Sequence, residues 1–160
     1  MSKLLVNLGC GKAPAHAPKT GGTWAVVNHD RVQHAEWVDV AWDLNSLPWP
    51  WRHDQVTMLY AISVLEHLHL TLLESVNECW RVLKPGGRLK VKLPLWDVDV
   101  SWDDPTHRWH VGRHGLDVFD PTTERGRTCR EMYQVQPWRL LEQKTFRGGT
   151  SLYGLMEAVK

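Results

Sequence analysis

Six residues separate Asp30, the end of one strand-like run, from Trp37, the start of the next. The apolar, β-rich runs at 3–8 (KLLVNL), 24–30 (WAVVNHD), 37–43 (WVDVAWD) and 55–62 (QVTMLYAI) are bounded by turn residues and read as strands. Neighbouring parallel strands usually need a crossover of a dozen or more residues, commonly a helix. Six extended residues reach about 20 Å, roughly one strand length, so this link can run back along a sheet but cannot wind into a helix. The twelve residues between Gly11 and Trp24 include Pro14 and Pro18 and allow a loop with about one turn. The first two crossover helices are therefore reduced or missing, and the sheet face beside the first three strands lacks its helical layer. An apolar face of that size cannot stay in water. The reading expects the tryptophan-rich loops and the 95–135 segment to cover it, or a second copy of the chain to do so as a homodimer.

The remaining pattern completes one domain over 1–160. Thr71 and Glu74 fit a capping box, and Leu72, Leu73, Val76, Cys79, Trp80 and Leu83 fall on one stripe of a helix over 71–84. Lys84-Pro85-Gly86-Gly87 stops it. Residues 88–93 alternate as a strand. Residues 95–135 are polar and weakly periodic and read as an insertion. Runs at 138–146 and 151–159, with Gly148-Gly149 between them, read as an antiparallel hairpin. The assembly is α/β: a mostly parallel sheet with a hairpin edge.

Bulk properties exclude several classes. A net charge of +1 gives no general electrostatic case for nucleic acid or anionic membrane, although Arg108, Arg113, Arg125, Arg127 and Arg130 leave a small basic groove open. Three scattered cysteines do not make a disulfide framework, and a reducing cytoplasm is the simplest setting. No apolar run is long enough for a transmembrane helix, and Met1-Ser2-Lys3 leads into a strand with no signal-peptide layout. Ten tryptophans against two phenylalanines suit half-wet surfaces and pockets.

Five segments taken in order carry a resemblance: Leu5-Val6-Asn7-Leu8-Gly9-Cys10-Gly11, Val27-Asn28-His29-Asp30, Trp42-Asp43-Leu44, Val64-Leu65-Glu66-His67-Leu68, and Arg81-Val82-Leu83-Lys84-Pro85-Gly86-Gly87. Together they resemble class I S-adenosylmethionine-dependent methyltransferases, nearest to small bacterial and phage-type members with a trimmed N-terminal half. The resemblance implies a Rossmann-like seven-stranded sheet whose last strand inserts antiparallel beside the fifth. It also implies S-adenosylmethionine as cofactor, bound beyond the carboxyl ends of the strands. On that basis Asn7, Gly9, Cys10 and Gly11 meet the methionine part. Asp30 accepts the ribose hydroxyls, Asp43 and the Leu44 amide meet the adenine, and Ala61, Ile62 and Ser63 line the floor near the sulfonium.

Methyl transfer displaces an already activated leaving group, so orientation carries much of the work. A base, where one is needed, is His67 or His107. His67 follows the fourth strand. His107 lies in Asp103-Asp104-Pro105-Thr106-His107-Arg108, in the region the family uses for acceptor specificity, where Asp104 and Arg108 also stand. The spacing of His107, His110 and His114 allows a metal reading, but Gly112 and Gly115 spoil the helix it needs. The Glu66-His67 pair of metal-dependent ubiquinone-type O-methyltransferases meets Ser63 where those enzymes have an earlier acid. No metal is expected. The reading is a methyltransferase acting on a small-molecule or glycan-type acceptor. Its rivals are a non-catalytic cofactor-binding or scaffold protein and a histidine-cluster metal-dependent hydrolase.

Overall fold

The computed structural model describes residues 2–19, 21–146 and 148–160. Seven strands, β1 (Lys3–Leu8), β2 (Trp24–Asp30), β3 (Val40–Ala41), β4 (Val56–Ile62), β5 (Leu83–Pro94), β6 (Trp138–Phe146) and β7 (Ser151–Ala158), form a single sheet. Its order is β3-β2-β1-β4-β5-β7-β6. The strands from β3 across to β5 pair in parallel, and β7 is antiparallel to both β5 and β6. The α/β, Rossmann-like reading with an antiparallel last strand holds. No described helix is long and apolar enough to cross a membrane.

Among the described residues no α-helix precedes α1 (Leu72–Val82), so both early crossovers are loops. The Thr71–Glu74 capping box forms and starts α1. The helix ends at Val82 rather than 84, and β5 begins at Leu83, earlier than the 88–93 pattern indicates. Leu83 pairs with Val56 before the turn through Lys84–Gly87, where Gly86 takes φ +71°. β3 is shorter than the 37–43 run. The Asp39 carboxylate takes the Asn28 N–H at 2.8 Å, so a side chain replaces a ladder bond, and only Val40–Ala41 pairs. Within 95–135 lie two short helices, α2 (Asp99–Asp103) and α3 (Glu124–Tyr133).

Register assigns each strand residue to a face. Val6, Leu8, Leu59, Ala61, Leu89, Val91 and Met156 share one face and belong to the buried core. Packed in that core are Val76, Cys79 and Val82 of α1, Leu44, Trp49 and Trp51 of the loop before β4, and Leu116 and Phe119 of the insertion. The loop stands where a helix would lie. Trp49 donates Nε1–H to the Leu44 carbonyl and its own N–H to Glu78 Oε1 at 2.7 Å. Arg81 pairs with Glu78 at 2.6 Å and donates to the Trp49 and Trp51 carbonyls. An ion pair on α1 thus holds the loop backbone, and the two indoles fill the space below it.

Trp49, Trp51 and the insertion therefore cover the α1 face, not the face stripped of its helices, to which the first alternative of the spacing argument assigns them. On that opposite face stand Lys3, Trp24, Met58, Tyr60, Lys90, Tyr153 and Lys144, half-buried or exposed. The Lys90 ammonium lies 5.2 Å from the Tyr60 ring centre and 5.7 Å from that of Tyr153, and Lys144 lies 5.3 Å from Tyr153. Near β1 and β2 the segment after Gly11 straps back over this face. Asn7 Nδ2 donates to Ala13 O and to Asn28 Oδ1, and Asn28 Oδ1 also takes the Ala15 N–H at 2.7 Å. The strap replaces the first crossover helix.

Candidate functional site

The carboxyl ends of β1, β2 and β4 open into a cleft of about 190 Å³. Gly9, Asp30, Asp43, Leu44, Val64 and His67 line it, drawn from four separate stretches of chain. Gly9 and Gly11 take φ +55° and +51°, which favours residues without a Cβ. A Cβ on Gly9 would sit 2.5 Å from Val64 Cγ2, so the glycine also permits the close approach of the β1 turn to the β4 turn. At the start of the β4 turn, Ser63 takes φ +53°.

Asp30 Oδ2 accepts the Gly11 N–H at 2.8 Å and Oδ1 accepts the Arg31 N–H at 2.7 Å. A carboxylate offers about four acceptor positions, so both oxygens retain capacity toward the cleft. Asp43 Oδ1 closes a turn onto Asn45, whose own Oδ1 takes the His69 N–H at 2.6 Å. Leu44 is buried beside Trp49. Asn7 and Cys10 are buried behind the cleft: the Asn7 amide is committed to the strap, and burial followed by the nearby Asp30 charge pushes the Cys10 thiol pKa up. Ala61 faces the core, Ile62 and Ser63 are exposed at the end of β4, and the cleft wall there is Val64. A strand-end motif does not say which residue the following turn presents, which explains the difference.

The sequence reading passed over His29, which joins the site together. Its Nε2 lies 2.8 Å from the Trp42 carbonyl and must donate to it. Its Nδ1 then accepts the Gly9 N–H at 3.4 Å. Burial depresses its pKa, so the neutral ring ties the glycine turn to the end of β3. The signal available in the sequence was its place next to Asp30 on an inward-facing position.

His67 and His107, 40 residues apart in sequence, meet with ring centres 4.8 Å apart. The Thr106 hydroxyl donates to Asp104 Oδ1 at 2.6 Å, so it accepts from His67 Nδ1 at 2.8 Å. His107 Nδ1 lies 2.9 Å from the Ser101 carbonyl and donates there. Both rings thus carry the proton on Nδ1, and His107 Nε2 lies 3.7 Å from Asp104 Oδ2. Burial, and then the neighbouring His107, lower the His67 pKa. Beneath them Glu66 is 1% exposed, and its Oε2 has no hydrogen-bond partner. Burial pushes the Glu66 carboxyl up to about 7.

The three expected acceptor-side residues, His67, His107 and Asp104, are therefore brought together. The 107–110–114 histidine set is not. His110 bonds Ser101 Oγ and stacks on Trp102 at 3.8 Å, while His114 is exposed beside Asp117. The metal-dependent hydrolase built on those three loses its geometric basis. Of the arginines that leave a small basic groove open, Arg125, Arg127 and Arg130 lie on α3, Arg113 pairs with Asp97, Arg127 bonds the Thr122 carbonyl, and Arg108 reaches His69.

Residues 6–91 match the family model described as a methyltransferase domain. No curated protein sequence matches significantly. Among solved structures, the chain is similar to one described as a complex between the Haloferax volcanii Trm112 methyltransferase activator and a putative methyltransferase. That match has TM-score 0.68 and 13% identity, covering 99% of this chain and 84% of that one. It is also similar to a SAM-dependent methyltransferase from Archaeoglobus fulgidus (TM-score 0.61, 12% identity, 98% and 86% covered). A third is a SAM-dependent methyltransferase from Aquifex aeolicus (TM-score 0.61, 13% identity, 98% and 82% covered).

Proposed function

The chain belongs to the methyltransferase-domain family, and from that premise we propose that it transfers the methyl group of S-adenosylmethionine to a small acceptor presented at the His67–His107 wall. The observation that carries the reading is the convergence of Gly9, Asp30, Asp43 and Leu44, from three strand ends, on one cleft. The bare glycine backbone leaves room for the amino-acid tail of the donor. Asp30 has spare acceptor capacity for the ribose diol, and Asp43 with the Leu44 amide edges the adenine.

His67 lines the same cleft and leads to His107 and Asp104, so acceptor activation falls to these three side chains. Attack by an acceptor heteroatom forms the bond to the methyl carbon while the C–S bond breaks, and the electron pair stays on sulfur as a neutral thioether. Positioning the two reactants is worth about 7–11 kcal/mol of such a barrier. The exposed indoles of Trp96 and Trp102 flank the acceptor segment and suit a flat or sugar-like acceptor.

Calorimetry tests the donor half. The protein should bind S-adenosylmethionine, and Gly9→Val, which drives a Cβ toward Val64, should abolish binding, with the fold checked by circular dichroism. No heat with the wild-type chain overturns the reading.

A further inference from the structure

We propose that the open face of the sheet, across β4, β5, β7 and β6, binds single-stranded nucleic acid, with Tyr60 and Tyr153 stacking bases and Lys90 and Lys92 meeting phosphates. Register places Tyr60, Lys90 and Leu155 in one row across β4, β5 and β7. Lys92, Tyr153 and Lys144 form the next row across β5, β7 and β6. The Lys90 ammonium lies 5.2 Å from one ring centre and 5.7 Å from the other, so the two tyrosines are near neighbours across β5. Both rings are half-buried and keep surface toward solvent.

Charge decides what fits there. Arg88, Arg139 and Lys144 stand on the same face, against the carboxylates of Glu142 and Glu157. Glu157 is shared by Arg88 and Arg139, and Glu142 takes Lys144 at 2.5 Å. Lys92 donates to Ser63 Oγ at 3.1 Å, and neither it nor Lys90 forms an ion pair among the described residues. Five cations against two carboxylates leave three positive charges in excess on these strands, whereas the whole chain carries +1. The positive charge is thus concentrated on this face.

A polyanion satisfies that excess, and the rings set between the cations narrow the choice. Sheets of four strands hold single-stranded RNA by stacking bases on aromatic side chains, and basic groups track the backbone of single strands. An acidic peptide meets the lysines but offers no planar group to each ring. A second copy related by a two-fold axis sets the same excess against itself. A stacking base takes the ring face, and the flexible lysine stem lets the ammonium shift to the ring edge, where the phosphate lies. The site shares no residue with the donor cleft, so it stands whether or not a methyl donor binds.

Fluorescence anisotropy of labelled oligouridylate and oligothymidylate, each of about 12 nucleotides, tests the site on the full chain. Both should bind, and affinity should fall about 20-fold between about 50 and 200 mM salt if three phosphates are paired. Equal binding of the two marks a site that reads bases and phosphates alone, and preference for the ribose form adds contacts to the 2′-hydroxyl; either upholds the proposal. Tyr60→Leu and Tyr153→Leu should each weaken binding by at least about 5-fold with the salt slope unchanged. Lys90→Gln should weaken it and flatten the slope by about 0.7, and this surface change keeps the test decisive if a tyrosine variant does not fold. Arg125→Gln, on α3, should bind as wild type. No binding of either oligonucleotide at about 50 mM salt overturns the proposal. Binding that Lys90→Gln leaves unchanged, or that Arg125→Gln weakens as much, also overturns it. So does attachment to phosphatidylserine vesicles without oligonucleotide binding, or wild-type self-association in sedimentation that the oligonucleotides do not reverse.

Discussion

On one face of the sheet Val6, Leu59, Leu89 and Met156 lie sealed under α1, the Trp49–Trp51 loop and the insertion. On the other face, at alternate positions of the same strands, Tyr60, Lys90 and Tyr153 remain partly in water. The covered face replaces a lost helix with indoles held by the Glu78–Arg81 pair. The open face has lost its crossover helices and has only the strap after Gly11 in place of the first. Its aromatic rings are shielded by ammonium groups whose alkyl stems cover apolar surface while their charges stay hydrated. On this side only the strap stands in for a helix, and the exposed positions beyond it carry amphipathic side chains.

The largest effect that comparison predicts is on the covered side. Trp49→Ala removes a side chain with 2% exposure and should cost about 3–5 kcal/mol, read from the urea midpoint. Arg81→Ala leaves the nearly enclosed Glu78 carboxylate without its partner, and breaking such a pair costs about 3–5 kcal/mol. A loss under about 1 kcal/mol in both variants would show that the loop is not the surrogate for a helix, and the contrast between the faces would collapse.

Where the two faces meet, at the strand ends, function and stability separate. Asp30 sits on the open-face row with Asn28 and ties Gly11 to the end of β2. Asp30→Ala should weaken S-adenosylmethionine binding by about 1.5–3 kcal/mol for each hydrogen bond lost to the charged group. Calorimetry reads that loss, and urea unfolding shows how much comes from the freed Gly11 turn. Unchanged affinity would remove Asp30 from the donor site.

The sheet and its order of segments were legible in the sequence because strands and glycine turns declare themselves locally. Asp30 and Asp43 were legible for the same reason, each ending a strand-like run. The meeting of His67 with Thr106 and His107 was also within reach, since both stretches follow strand ends at the same rim. Three features were not. Which face the tryptophans cover depends on the route of the chain after Leu44, and alternation in a strand names two faces without saying which is roofed. The strap carried by Asn7 and Asn28 is a pairing of amides 21 residues apart, and a polar residue on a strand gives no sign of its partner. Glu66 reads from its sequence neighbours as a rim acid, and only the folded turn shows that it is enclosed.

The smallest predicted effect is the sharpest test of the open face. Lys90 stands between Tyr60 and Tyr153, and its ammonium is within cation–π range of both rings. At a solvent-exposed position such a contact is worth about 0.5–1 kcal/mol, so Lys90→Ala should cost that much and no more. The change also uncovers the two rings, which the lysine stem now shields. If the face is built to stand in water, Lys90→Ala stays monodisperse in sedimentation and loses only that increment in urea. If the face is a core deprived of its cover, Lys90→Ala joins two tyrosines and Met58 into one apolar patch, and the variant self-associates as concentration rises. The sedimentation profile therefore distinguishes a solvent-adapted surface from an unfilled interface, although the two differ little in stability.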